Sequence, residues 1–408
     1  MNPAITGDFG HGVDILSPDV YLEGVPHEQF ALLRREAPVY FHAEPGGRGF
    51  WAVTKHRDAH RVLRDADSFS SERGGTQIAD LPREDMRVSP DHLANMDPPR
   101  HTRRRAIIGQ AFTPQGLRRV QAWVHAHVST LIETLFDRLA AGENVDLITD
   151  FAAQLPVATI LHMVGVPDQD GPVMNRWVHE LLTPDDVEYQ TSEAQRAQTT
   201  REFMEYAHAL AVERRHAPRD DLLSRLMAAE IDGHKLSYSE FGMFFLLLLA
   251  AGTHSTRLLI GNGMLALMRH PQQRQKLLDN PALVPSAVEE FLRYDPPIQH
   301  FRRTATRDTH VGGQRIAAGD KVAVFFASTN RDEDIFCDPD TLDVTRTPND
   351  HLSFSHGPHF CLGNALARME ARTAIGECVR RLPELAVAGP TPRIRSNWFN
   401  GVKQLPVK

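Results

Sequence analysis

The sequence predicts a mainly α-helical protein with small β-sheets, built as one unit over residues 1–408. Three observations carry this. Apolar residues recur at helical spacing from about 99 to 270 and again over about 271–294. Strand-like patterns are confined to a stretch near the N-terminus and to the C-terminal third. No Ser/Gly linker, low-complexity tract or internal repeat divides the chain, although 408 residues would by length suggest two or three domains.

The elements follow in order. Val39-Tyr40-Phe41 and Phe50-Trp51-Ala52-Val53 flank Pro45-Gly46-Gly47 and read as a β-hairpin. Residues 56–66 read as a helix. Residues 68–98, rich in Ser, Gly, Pro and Asp, read as a long loop, and loops of that length inside compact proteins are usually functional or disordered. The helical block from 99 is broken by Pro and Gly near 114, 167 and 184. Residues 309–326 alternate around Gly312-Gly313 and read as strands, and 384–408 as short strands and turns. The strongest apolar run, Phe244 to Ala251, is eight residues long, short of a membrane span.

The net charge of −7 gives no case for a nucleic-acid partner. Three cysteines without a paired framework suit a reducing compartment. Met1-Asn2-Pro3-Ala4 begins no signal-peptide pattern. The expectation is a cytoplasmic protein, monomeric, with no membrane contact. No H-E-x-x-H or C-x-x-C spacing supports a zinc site, despite 21 histidines.

The stretch Phe354 to Gly363, F-S-H-G-P-H-F-C-L-G, is the most informative. It sets Cys361 just ahead of the helical pattern Asn364-Ala365-Leu366-Ala367. A thiolate there sits on a helix N-terminus, where the dipole and free N–H groups favour negative charge. A lone buried cysteine is usually an inert small hydrophobe, and Cys337 and Cys378 sit in no comparable setting. Around Cys361, four fixed positions fall within ten residues. The segment resembles the haem-ligand loop of cytochromes P450, F-x-x-G-x-x-x-C-x-G, which Phe354, Gly357, Cys361 and Gly363 match without a gap. The resemblance covers essentially the whole chain. It implies the triangular, helix-rich P450 fold, haem b as cofactor and an axial thiolate from Cys361, which pushes electron density toward iron and favours O–O cleavage.

The same resemblance gives meaning to motifs that are weak alone. Glu290 and Arg293 fall at i and i+3, a spacing that usually marks a solvated surface pair. In the family, E-x-x-R pairs with a downstream arginine, here Arg346, and buttresses the haem loop. His101 and Arg105 match H-x-x-x-R, two propionate partners on one helix face; Arg303 and His359 match two more. Arg302 is adjacent to Arg303, and the spacing to Asp308 favours the latter. Arg103, Arg104, Arg118 and Arg119 form a basic cluster, either a solvated face or a docking surface for an acidic electron carrier.

Ala250 to Thr256 resembles the distal helix, A/G-G-x-D/E-T-T, with two departures. Ala251 and Gly252 match, His254 replaces the acid, Ser255 replaces the first threonine and Thr256 matches the second. Serine keeps a hydroxyl for proton delivery. Histidine either relays protons, donates to substrate, or points away to a structural partner. The implied activity is insertion of one oxygen atom from O2 into a small apolar substrate (steroid, terpenoid, fatty acid or secondary metabolite). Electrons come from a ferredoxin-type donor with its NAD(P)H reductase. Two alternatives stand: oxidative coupling, ring formation or peroxide-driven chemistry, and a non-catalytic haem or substrate-binding protein. By family position the pocket draws on Ile78, Leu81, Met86, Ala251, Ile298, Gln299, His300, Trp398 and Phe399, under a lid carrying Asp185, Asp186 and Glu188.

Overall fold

The computed structural model describes residues 12–81, 89–109, 112–182, 192–231 and 234–408. Met86, Asp185, Asp186, Glu188 and the side chain of Arg119 lie outside the described residues. The helices are α1 His27–Glu36, α2 His56–Arg64, α3 Arg100–Gly109, α4 Pro114–Ala140, α5 Gln154–Val164, α6 Gly171–Leu182, α7 Glu193–His216, α8 Leu222–Ala228, α9 Tyr238–Arg269, α10 Pro271–Asp279, α11 Val284–Tyr294, α12 Phe326–Thr329 and α13 Asn364–Arg381. The strands are β1 Val39–His42, β2 Phe50–Val53, β3 Phe69–Ser70, β4 Val145–Asp146, β5 Glu230–Ile231, β6 His234–Lys235, β7 His300–Ala305, β8 Thr309–Val311, β9 Gln314–Ile316, β10 Lys321–Phe325 and β11 Pro406–Val407.

One long helix organises the core. Helix α9 opens with a capping box in which Ser237 and Glu240 satisfy each other's backbone N–H groups. Its most apolar 18-residue window has a mean hydropathy of 1.6, and 72% of that window is buried inside the protein. Helix α9 thus meets the length and apolarity of a membrane span while serving as the core helix. The eight-residue apolar run understates it because the helix continues through Thr253 and Ser255. Their hydroxyls donate to the Leu249 and Ala251 carbonyls at 2.7 and 2.9 Å, so neither breaks the helix. Residues of α4, α5, α7, α11 and α13 join α9 in one apolar cluster. A Cβ on Gly252 would lie 2.7 Å from Ile160 Cδ1, so α5 and α9 meet here more closely than a larger residue allows.

The main sheet runs β1-β2-β10-β7-β3. The expected hairpin is β1–β2, with Val39 opposite Val53 and His42 opposite Phe50. Strand β10 lies parallel to β2 and antiparallel to β7, so the N-terminal and C-terminal strands share one sheet. The stretch 309–326 holds three strands: β8 and β9 form their own hairpin, and β10 enters the main sheet. Strand β7 escapes the alternation pattern because Arg302 and Arg303 occupy it, both buried. Arg302 and Lys321 hold Asp80, and Lys321 also holds Glu44. These ion pairs fasten residues near 80 of the long loop to the sheet.

Candidate active site

The cysteine loop is fixed from both sides. Gly357 has φ +70°, and a Cβ there would lie 2.6 Å from the Leu63 carbonyl oxygen and 2.9 Å from Arg64 Cα. Only glycine lets the loop lie this close to the end of α2. The Cys361 N–H donates to Phe354 O at 2.8 Å, and Asn364 Nδ2 donates to Cys361 O at 2.7 Å. Burial pushes the Cys361 thiol above its ordinary value, against the pull of the Gly363 N–H, Arg105 and Arg368. The loop thus holds a neutral thiol, with the Gly363 N–H, Arg105 and Arg368 placed to favour the thiolate once a bond removes its proton.

Glu290, Arg293 and Arg346 come together as expected. The buried Arg293 guanidinium grips both Glu290 oxygens at 2.8 Å, and Arg346 Nε reaches the same carboxylate at 3.1 Å. Arg293 also donates to the carbonyls of Asn330, Pro339 and Thr341, which ties α11 to the segment before the cysteine loop. A second pair was not legible in the motifs. Arg368 of α13 holds both oxygens of Glu289 at 2.8 Å, and its guanidinium lies 4.4 Å from the Phe354 ring centre. Burial of Glu289 is outweighed by His351 and Arg368, which take its carboxyl down to about 2.

A basic cluster stands beside the thiol. The rings of His101 on α3 and His359 in the cysteine loop lie 4.1 Å apart. His101 Nδ1 and His359 Nε2 are buried without a hydrogen-bond partner. Arg105 donates to the Phe360 carbonyl at 2.6 Å, and buried Arg303 donates to Arg302 O at 2.8 Å. Burial first, then Arg105 and Arg303, takes His101 down to about 4 against the pull of Asp97. Burial and then Arg303, His101 and Arg105 take His359 to about 2. Burial lowers Arg303 to about 10, with Asp97 opposing. Asp97 is itself engaged by the Ser70 hydroxyl and, at 2.8 Å, by the Ser71 N–H. Four basic groups therefore converge, and Asp97, the carboxylate that acts on His101 and Arg303, is already engaged. They are chemically matched to a group bearing two carboxylates.

Cys361, His101, Arg105 and His359 line a cavity of about 320 Å³. So do Phe354, Ala251, Gly252, Ser255, Thr256, Ile298, Trp398 and Phe399. Arg303 acts on both histidines without lining the cavity. Five further expected residues are corrected. His254 is buried against Phe399, ring centres 4.2 Å apart, and does not line the cavity. Each helical residue turns about 100°, and here Ser255 and Thr256 keep to the cavity side while His254 turns off it. Gln299 and His300 are buried away from the cavity. His300 packs 5.2 Å from Phe325, and burial lowers it to about 3, against a hydrogen bond with Asn397. Ile298 and Phe301 take the lining positions instead. Ile78 packs with Ile15, Phe30 and Phe50, and its carbonyl accepts from Arg302 and Lys321; Leu81 is likewise off the wall. Missed lining residues include Thr76, Gln77 and His92 of the long loop, Phe244 and Leu248 of α9, and Glu370 of α13.

A cysteine loop capping a helix, an apolar cavity and a seat for a dicarboxylate define a haem-thiolate class of protein. The family model for Cytochrome P450 matches residues 150–384. A methyl-branched lipid omega-hydroxylase of Mycobacterium tuberculosis is 39% identical over 97% of this chain and 94% of its own. Linalool 8-monooxygenase of Pseudomonas putida is 36% identical, over 97% of this chain and 98% of that one. Among solved structures, Mycobacterium marinum cytochrome P450 CYP268A2 in complex with pseudoionone superposes with a TM-score of 0.87 at 36% identity, covering 94% of each chain. The chain belongs to the cytochrome P450 family and is a monooxygenase, an oxidoreductase whose family cofactor is haem on a cysteine thiolate.

Proposed function

We propose that this chain, as one catalytic unit, holds haem b through the Cys361 thiolate, with the propionates on His101, Arg105, Arg303 and His359. It inserts one oxygen atom of O2 into a small apolar substrate of the lipid, terpenoid or steroid kind. The observation that carries this reading is the convergence of Cys361, the unpartnered histidine nitrogens and the Ser255 hydroxyl on one apolar cavity. Bound haem supplies O2 activation, assisted by electron donation from the thiolate. The residues supply the rest. Arg105 and Arg303 neutralise the propionates, and the two histidines complete their hydrogen bonds. Ile298, Phe301, Trp398 and Phe399 exclude water and orient an apolar body. The Ser255 hydroxyl proton rests on Ala251 O, leaving the oxygen's lone pairs to accept a proton-bearing partner in the cavity. Relatives named for methyl-branched lipids, linalool and steroids support the apolar substrate class.

Electrons come from a ferredoxin-type donor with its NAD(P)H reductase. Exposed Arg64, Arg103 and Arg118 support an acidic docking partner. The protein works as a cytoplasmic monomer. Reconstitution with a ferredoxin, its reductase, NAD(P)H and isotopically labelled O2 tests the reading on a panel of lipids, terpenoids and steroids. A product carrying one labelled oxygen is expected. A second reading is favoured by the burial of His254 off the cavity, which leaves the usual acid without a counterpart there. Turnover with peroxide, and none with the reductase system, would establish that reading in place of the first.

A further inference from the structure

A stripe of basic side chains on α2 runs up to the cysteine loop. His56, His60 and Arg64 recur at i, i+4 and i+8, on one face of the helix. The end of α2 abuts the loop at Gly357, where a Cβ would lie 2.6 Å from Leu63 O. Beside it the ring of His356 lies on the ring of His60, centres 3.8 Å apart and planes 35° from parallel. Both histidines are half-buried, and neither makes a hydrogen bond among the described residues. Arg64 is exposed and makes no ion pair among them.

The charged groups around the pair are basic or already engaged. His56 and Arg64 act on both rings, and no carboxylate of the described residues does. His56 Nε2 meets Asp350 O at 2.8 Å. Asp58 is engaged by the Gly312 N–H, with Arg57 and Arg61 beside it, and Asp65 by the Ser68 N–H. In the segment of the cysteine loop, His351 is paired with Glu289 and His359 lies against His101. From β10, Lys321 is held by Glu44 and Asp80. Burial first, then His56 and Arg64, lowers His60; burial, then His60, Arg64 and His56, lowers His356. The free protein therefore carries both rings neutral near pH 7. Two rings this close accept one proton far more readily than two.

We propose that His60 and His356 form a proton-linked contact for the acidic electron carrier, taking up as much as one proton per complex as its carboxylates close on Arg64. The inference rests on the ferredoxin reading above. A carboxylate brought against the pair favours the charged form of an imidazole. One solvent proton adds to a ring nitrogen lone pair, and the new N–H donates to the carboxylate. No electrons move in this step. The other ring stays neutral, because a second charge beside the first is opposed. Binding and protonation strengthen each other, so the carrier binds more tightly as pH falls, by at most about tenfold per pH unit, the limit for one proton.

Titration calorimetry of the haem-loaded protein with an acidic [2Fe–2S] ferredoxin at pH 7, repeated in buffers of different ionisation enthalpy, counts the protons taken up. Wild type is expected to show net uptake and a Kd that falls as pH is lowered from 8 to 6. His60→Gln/His356→Gln should lose the uptake and flatten that pH dependence. The wild-type count needs no variant to fold. Ferredoxin-driven formation of the ferrous–CO complex reports electron acceptance separately. Reduction by a ferredoxin that binds wild type without proton uptake, or with uptake equal to that of the double variant, overturns the proposal and leaves the ferredoxin reading standing. A ferredoxin that neither binds nor reduces the protein at any pH overturns both.

Discussion

At the scale of single residues, the haem-loop motif and its partners share one wall because each is pinned by backbone. Gly357 against α2 and the Cys361 N–H on Phe354 O leave the thiol little choice of position. Ser255 is the proposed distal hydroxyl, and Ser255→Ala should lower coupled turnover by about 10- to 100-fold, in the range of a lost proton-transfer group. The thiolate spectrum should be unchanged, since the Ser255 hydroxyl bonds to Ala251 O on its own helix. Product and peroxide measured per NAD(P)H oxidised check this. His101 makes a separate prediction for the haem-free protein. Its folded value, about 4, lies below the ordinary 6.5, so the unfolded chain binds the proton first. Its contribution to stability is full above pH 6.5 and is lost as pH falls toward 4. Thermal melts of the apoprotein should drop across that window, His101→Gln should flatten the drop, and haem should remove the difference. What the sequence hid at this scale is phase. A motif names His254, Gln299 and His300, but the turn of α9 and the pleat of β7 decide which side chains reach the cavity.

At the scale of elements, two carboxylates lock α11, Glu290 to the segment before the cysteine loop and Glu289 to α13 and His351. Glu290 was legible through its spacing to Arg293 and the family pattern. Glu289 was not, because its partners Arg368 and His351 lie far along the chain. Glu290→Gln leaves two guanidinium groups with no counter-charge, Arg293 fully buried and Arg346 mostly so. Breaking a buried pair in this way costs on the order of 3–5 kcal/mol. Denaturant titration should show that loss, and the purified variant should hold less haem than wild type. Helix α9 was legible in type and in its end near 270, but its start at Tyr238 was not marked within the long helical block. Strand β7 was invisible because charged side chains occupy buried positions there, Arg302 being compensated by Asp80 of the long loop.

At the scale of the whole molecule, the chain carries a net charge of −7, yet Arg64, whose backbone meets Gly357 of the cysteine loop, is exposed, as are Arg103 on α3 and Arg118 on α4. Phe360, beside the ligand cysteine, is 38% exposed. A local basic patch on an acidic protein orients an acidic carrier before contact. The association rate of a ferredoxin should fall as salt is raised from low ionic strength, and Arg64→Glu should slow association while leaving substrate binding intact. Stopped-flow reduction under CO measures both. The mainly helical class and the split of strands between the two ends were readable from periodicity. The joining of those strands into one sheet was not, because β2 and β10 pair across most of the chain.

The absorption spectrum of the dithionite-reduced, CO-bound holoprotein bears on the account most directly. Ligation by the Cys361 sulfur as thiolate gives a strongly red-shifted Soret band, which Cys361→Ser abolishes. A Soret band at the position given by a nitrogen ligand, or a band that survives Cys361→Ser, contradicts it.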